Sequence, residues 1–284
     1  MISPPRPLGK TSPPLLRIEP SRGWGSLHLA ELWDYRDLIY MLLWRQIQGN
    51  YRQMALGPLW IVINPLITML LYTLIFGVVA NLPSDGLPYP IFIYTALLPW
   101  NFFSEGASGA SRSLVNQQGL ISKVYFPRLV VPIVGVLSGL VNFFASMIIL
   151  IGLMAIFRIA PTARVLTLPL FLLLATATAL SVGLWFAALI VRFRDVSTFL
   201  GYLLQGWMYA TPVVYSIQVI PEQWHFLYRL NPMVGVIEGF RWALLGTKAP
   251  PLVALILPVS FVGVSLISGA YYFRHTERNI IDIV

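Results

Sequence analysis

The sequence predicts an all-α integral membrane protein with six transmembrane helices, an N-terminal amphipathic helix at the membrane interface, and a re-entrant helical hairpin on the outer side between spans 5 and 6. Two observations carry that class. Of 284 residues, 57% are hydrophobic and only 11% are charged, too little polar surface to wrap a water-soluble globule of this size. The apolar residues are also gathered into long uncharged blocks, which is how a bilayer, rather than an aqueous core, organises a chain.

Residues 1–30 carry Pro4, Pro5, Pro7, Pro13, Pro14 and Pro20 among Ser, Gly and Arg, with no apolar run that could form a signal-peptide core. A disordered cytoplasmic tail is expected there. Over 31–56 the pattern becomes helical: Leu32, Tyr35, Ile39, Leu43 and Ile47 fall on one side, and Glu31, Asp34, Asp37, Arg45, Gln48 and Arg52 fall opposite. Such a helix lies in the interface, although Arg36 falls towards the apolar side and must snorkel. Six blocks then reach the roughly 20 residues a span requires: 59–80, 89–111, 129–157, 165–191, 196–220 and 249–273. Only the second contains a charge, Glu105. Residues 112–128 join spans 2 and 3, and 276–284 form a C-terminal cytoplasmic tail. Pro221 to Lys248 is amphipathic, aromatic and interrupted by Asn231-Pro232. Two short helices that dip into the outer leaflet and return fit that stretch, and non-helical backbone at such depth implies a cavity or conduit behind it.

Orientation follows from the basic residues. With the N-terminus inside, fourteen of the 19 Lys and Arg fall on the cytoplasmic side, so both termini are expected there. That asymmetry also accounts for the net charge of +8 without nucleic acid, since no basic stretch interleaves with stacking aromatics outside the apolar blocks. Cysteine is absent, which removes thiolate chemistry, and His28, His225 and His275 are far apart, so no metal site is expected. An enzyme would need a nucleophile, a base or a metal pair; His225 near Glu222 is the one candidate, and an interfacial histidine is more often merely solvated.

Several stretches, taken together and in order, resemble the membrane subunits of the ABC exporters that carry O-antigen, capsule or teichoic-acid chains. They are Leu56-Gly57-Pro58-Leu59-Trp60 with Asn64-Pro65-Leu66, Lys123-Val124-Tyr125-Phe126-Pro127-Arg128, Arg194-Asp195-Val196, Thr211-Pro212-Val213-Val214-Tyr215, and Asn231-Pro232-Met233 with Ile237-Glu238-Gly239-Phe240-Arg241. The resemblance spans roughly residues 31–275. It implies a homodimeric permease of a bacterial inner membrane, with two copies of a nucleotide-binding subunit docked beneath it and a lipid-linked polysaccharide as cargo. A permease of the same fold moving a lipid, a drug or haem is the alternative. ATP and Mg would be bound by the partner subunit, because no G-x-x-x-x-G-K-[ST] run exists here to cradle the phosphates.

The resemblance makes 112–128 the segment that couples to the ATPase, with Arg112, Leu120, Lys123, Tyr125, Phe126 and Arg128 as its contacts. Composition alone fits an ordinary positive-inside loop equally well. The chain holds nine Trp, 13 Tyr and 16 Phe. Sugar rings stack their C–H faces on such side chains, and Tyr and Trp can meet their hydroxyls. Candidate channel residues are Tyr72, Phe76, Trp100, Phe102 and Phe103 in the first two spans, and Tyr202, Trp207, Tyr209 and Tyr215 in the fifth; each is equally compatible with an interface anchor or a lipid-facing residue. Trp224, Glu238 and Arg241 are candidates for an outer gate. Glu238 and Arg241, three residues apart on a short helix, are expected to pair with each other. Glu105 is expected to pair with a basic loop residue such as Arg112, or else to make a polar contact at the conduit mouth. Gly135-x-x-x-Gly139 and Gly235-x-x-x-Gly239 allow close helix approach within the chain or at a dimer seam.

Overall fold

A computed structural model describes residues 29–51, 57–251 and 253–277. Most of the proline-rich tail, most of the C-terminal tail and Leu56 with Arg52 lie outside the described residues. Among those described, all regular structure is helical. The helices are α1 (Leu29–Asp34), α2 (Arg36–Tyr51), α3 (Trp60–Tyr72), α4 (Tyr89–Asn116), α5 (Gln118–Ile121), α6 (Val130–Leu137), α7 (Gly139–Ile156), α8 (Leu168–Arg192), α9 (Val196–Tyr209), α10 (His225–Leu230), α11 (Pro232–Leu245) and α12 (Val253–Glu277). Four stretches among them are long and apolar enough to cross a membrane: Trp60–Val79, Val130–Ile156, Ala163–Arg192 and Leu255–Thr276. The chain is therefore a multi-pass membrane protein.

The bundle is organised around α4, whose 28 residues give a rod of about 42 Å at 1.5 Å per residue. Every residue from Ile91 to Trp100 is buried, and α6, α7, α8 and α11 pack round it. Pro99 inside this helix is tolerated because neighbouring helices, not lipid, surround the weakened turn. Small residues set how closely the neighbours come. A Cβ added to Gly135 of α6 would sit 2.7 Å from the Ala110 amide nitrogen of α4, and one on Gly109 would sit 2.8 Å from the Gly135 carbonyl. Gly183 of α8 leaves room for the Ala110 methyl, and Gly239 of α11 lies against the Phe171 ring. Gly135 thus lets two helix backbones touch within the chain, and Gly239 makes room for the Phe171 ring.

The first apolar block is helical throughout but widens to π geometry over Thr73–Val79, and the chain leaves it at Asn81 with φ 50°. The third is divided at Ser138, whose hydroxyl donates to the Gly135 carbonyl (2.9 Å) and accepts from Gln46 (3.3 Å). The α-helix of the fifth ends at Tyr209, where Thr211-Pro212 turns the chain before a short 3-10 turn at Ile217–Val219. Pro212 has no N–H to give and disfavours the α region for the residue before it, so the helix stops short of it.

The Leu32, Tyr35, Ile39 and Leu43 side of α1 and α2 packs, with buried Leu42, on Phe126, Val130, Val131 and Val134. Arg45 also donates to the Gln117 side chain. Trp33, Tyr40 and Trp44, seven and four residues apart and hence on one face, remain exposed. Glu105 departs from its expected partner. Its carboxylate accepts from the Asn142 amide at 2.8 Å, while Arg112 reaches the Ser197 carbonyl at 3.4 Å; residue 142 faces Glu105 across the α4–α7 contact, which sequence proximity to Arg112 does not reveal.

Candidate functional site

The turn after α9 exposes a run of backbone carbonyls that a helix would otherwise satisfy, and burial makes each unpaired one costly. Three distant side chains close it. Arg241 of α11, 3% exposed, donates to the carbonyls of Pro212 (2.8 Å) and Val213 (2.9 Å), with Tyr215 at 3.5 Å. Its guanidinium lies over the Phe92 ring, 3.6 Å from the centroid, and a planar fork of donors suits two adjacent carbonyls as an ammonium would not. Tyr89, at the start of α4, donates to the Val214 carbonyl. Asn231 holds the other end: its oxygen accepts from the Met233 amide (3.1 Å), capping α11, and from the Trp207 indole (3.0 Å), while its nitrogen donates to the Thr211 hydroxyl (2.8 Å). Ser216 donates to Asp85 at 2.6 Å, fastening the turn to the 81–88 loop.

Glu238 and Arg241 act on each other as opposite charges, but the hydrogen bonds of the arginine go to the turn. Its two Nη groups donate to peptide carbonyls 26–29 residues earlier in the chain, because the Pro212 break leaves acceptors that nothing local can meet. Of the residues in this junction, sequence reasoning missed Tyr89, Asp85, Ser216 and the bridging function of Asn231. An Asn directly before a Pro at a helix start is a capping signal, and that was the available clue.

Beside the junction a cleft of about 530 Å³ opens between Leu82, the 219–221 segment, Tyr215, Trp224 and Tyr228. The Tyr215 hydroxyl donates to the Tyr209 carbonyl (2.9 Å) and lies 3.1 Å from the Tyr228 hydroxyl.

The sequence-predicted aromatics divide by burial. Trp100, Phe102 and Phe103 lie inside the bundle, in edge-to-face contacts of 5.3 Å (Trp100–Phe103), 5.6 Å (Phe102–Phe143) and 5.2 Å (Phe103–Trp207). Tyr72, Phe76, Trp207 and Tyr215 are half-buried, and Tyr202 and Tyr209 are exposed. Trp224 is exposed at the cleft and Glu238 is half-buried. In the 112–128 segment, Tyr125 is 80% exposed with Lys123 and Arg112 also exposed, whereas Phe126 is buried and Leu120 half-buried against α2. Arg128 is half-buried and has a partner.

A multi-pass helical bundle whose α9 is tied by hydrogen bonds to a following helix pair is the setting in which the comparisons with known proteins fall. The family model of the ABC-2 type transporter matches residues 37–245, from the start of α2 to the last residue of α11, and the chain belongs to that family. It is 33% identical over 256 residues to the O-antigen export system permease protein of Myxococcus xanthus, covering 88% of this chain and 96% of that one. An O-antigen export system permease protein of Klebsiella pneumoniae is 27% identical over 72% of this chain and 79% of its own length. The polysialic acid transport protein of Escherichia coli is 25% identical over 84% and 92%.

Proposed function

We propose that this chain is the permease subunit of an ATP-driven exporter that moves a lipid-linked polysaccharide outward across the inner membrane. The observation that carries the reading is the end-to-end relationship to an O-antigen export permease, 33% identical over 96% of that protein. Two copies of the chain would form the conduit, and two copies of a nucleotide-binding subunit would supply ATP hydrolysis from below.

In this reading six spans come from the four apolar stretches together with α4 and α9. The α10–α11 pair is the re-entrant hairpin in the outer leaflet, and the basic residues keep both termini inside. At 14 residues α9 rises only about 21 Å, so the turn that follows it lies at membrane depth. Closure of that turn by Arg241, Tyr89 and Asn231 is what irregular backbone there requires. Exposed Leu70, Leu71, Leu74, Val78 and Val79 would face lipid or the second copy. Glu105, exposed beside Asn142, would face water or that copy, since hydrocarbon penalises a carboxylate by about 2.5–3.5 kcal/mol. The glycan-facing wall falls to exposed Tyr202 and Tyr209 with half-buried Tyr72, Phe76, Trp207 and Tyr215; Trp100, Phe102 and Phe103 support it from within the bundle.

The test is ATP hydrolysis by the chain copurified in nanodiscs with its candidate ATPase. Hydrolysis that rises with lipid-linked polysaccharide supports the exporter, and stimulation only by small lipids or drugs removes the glycan. The coupling segment is tested with it. Tyr125→Ala, at an 80% exposed side chain, is expected to cut polymer-stimulated hydrolysis severalfold and to leave dimer assembly and thermal stability unchanged. Full stimulation would remove Tyr125 from the ATPase contact. Phe126→Ala is instead expected to lower stability by roughly 3–5 kcal/mol, because its ring joins the α2–α6 cluster.

A further inference from the structure

The geometry points to the cleft between Trp224, Tyr215 and Tyr228 as a binding subsite for one or two neutral sugar rings. The inference rests on the exporter reading and assigns to it a place where glycan dwells beside the conduit. At about 530 Å³ the cleft falls within the roughly 300–1,000 Å³ of small-molecule sites. Its lining is apolar and aromatic, and none of the lining residues is charged. The exposed face of Trp224, 50% accessible, offers the flat surface on which a pyranose C–H face stacks.

Proton accounting then selects the ligand. The single Tyr215 proton is committed to the Tyr209 carbonyl, so at 3.1 Å the Tyr228 hydroxyl must donate its own proton to Tyr215. What remains on Tyr228 is acceptor capacity alone. A ligand must therefore bring a hydroxyl donor to that oxygen. A phosphate, or the carboxylate of an acidic sugar, would present only acceptors at that oxygen, with no cation in the lining to receive its charge. A hydroxyl-rich neutral ring satisfies both the stacking face and the acceptor. An acyl chain would fill the apolar part and leave the acceptor unmet.

The test uses the full complex in nanodiscs without nucleotide, with fragments of two to four rings released by mild acid from the cell's own surface polysaccharide as the probe. Saturation transfer from protein to sugar C–H protons is expected for the wild type. Trp224→Ala is expected to weaken binding about 3–10-fold, Tyr228→Phe about 3–5-fold, and Trp224→Phe to retain most of it. Thermal unfolding of each variant checks that the fold survives. Absence of fragment binding by a wild-type complex that exports polymer would overturn the subsite, as would equal binding by wild type, Trp224→Ala and Tyr228→Phe. Trp224-dependent binding in a complex that does not export polymer would keep the subsite and remove the exporter reading.

Discussion

Arg241→Met is expected to lower the stability of the chain by roughly 3–5 kcal/mol and to abolish export. Two effects of opposite sign compete. Removing a buried guanidinium relieves its desolvation, and replacing both members of a buried polar pair by apolar groups is often neutral. Here the partners are the carbonyls of Pro212 and Val213, which no substitution can remove. Each loses a charge-assisted hydrogen bond and is left buried, at about 1–3 kcal/mol apiece. Arg241→Lys is expected to fall between, because one ammonium does not reproduce a two-pronged donor. Thermal unfolding in nanodiscs measures both. A methionine variant as stable as wild type would mean that the arginine contributes nothing to closing the turn.

Gly135→Ala should also damage the bundle, through packing instead of hydrogen bonding. The added Cβ meets Gly109 and Ala110 backbone at 2.7 Å, and backbone cannot rotate away as a side chain can. Helices α4 and α6 must separate, at about 1–3 kcal/mol for the methyl alone and more for valine. Gly152 in α7 is the internal control: nothing lies within 4 Å of a Cβ there, so Gly152→Ala gains helix propensity and should be neutral or stabilising by up to about 1 kcal/mol. The close approach lies three residues before Arg112. Separation should therefore also disturb the 112–128 segment, read as a loss of polymer-stimulated ATP hydrolysis. Equal melting of the Gly135 and Gly152 variants would show that the α4–α6 approach is not tight.

Class and rough layout were legible because membrane insertion is a property of composition. Apolar blocks of sufficient length announce themselves without any knowledge of neighbours, and the stripe of Leu32, Tyr35, Ile39 and Leu43 is visible as a period. The end of α9 was misjudged although its cause, Pro212, is in plain view. Block hydropathy continues smoothly to Ile220, and the run of apolar residues outweighed the proline. The junction was illegible for a different reason. Arg241 looks locally like half of an i, i+3 pair with Glu238, and nothing in the sequence says that the carbonyls of residues 212 and 213 lie beside it. The same holds for Glu105, whose partner Asn142 is 37 residues away. Burial of individual aromatics was equally hidden: Phe103 and Tyr202 are both aromatics in apolar helices, and only packing separates the buried one from the exposed one.

Arg241 closes the turn after α9 by hydrogen bonds to peptide oxygens. Peptide carbonyls do not titrate, and arginine stays protonated across any habitable acidity. The contact is also dry, so mobile ions that would shield an exposed ion pair within about 10 Å at 0.1 M salt have no route to it. In the proposed orientation the turn sits within the outer half of the bundle, away from bulk water. The hold of Arg241 on this turn is thus independent of salt and of acid.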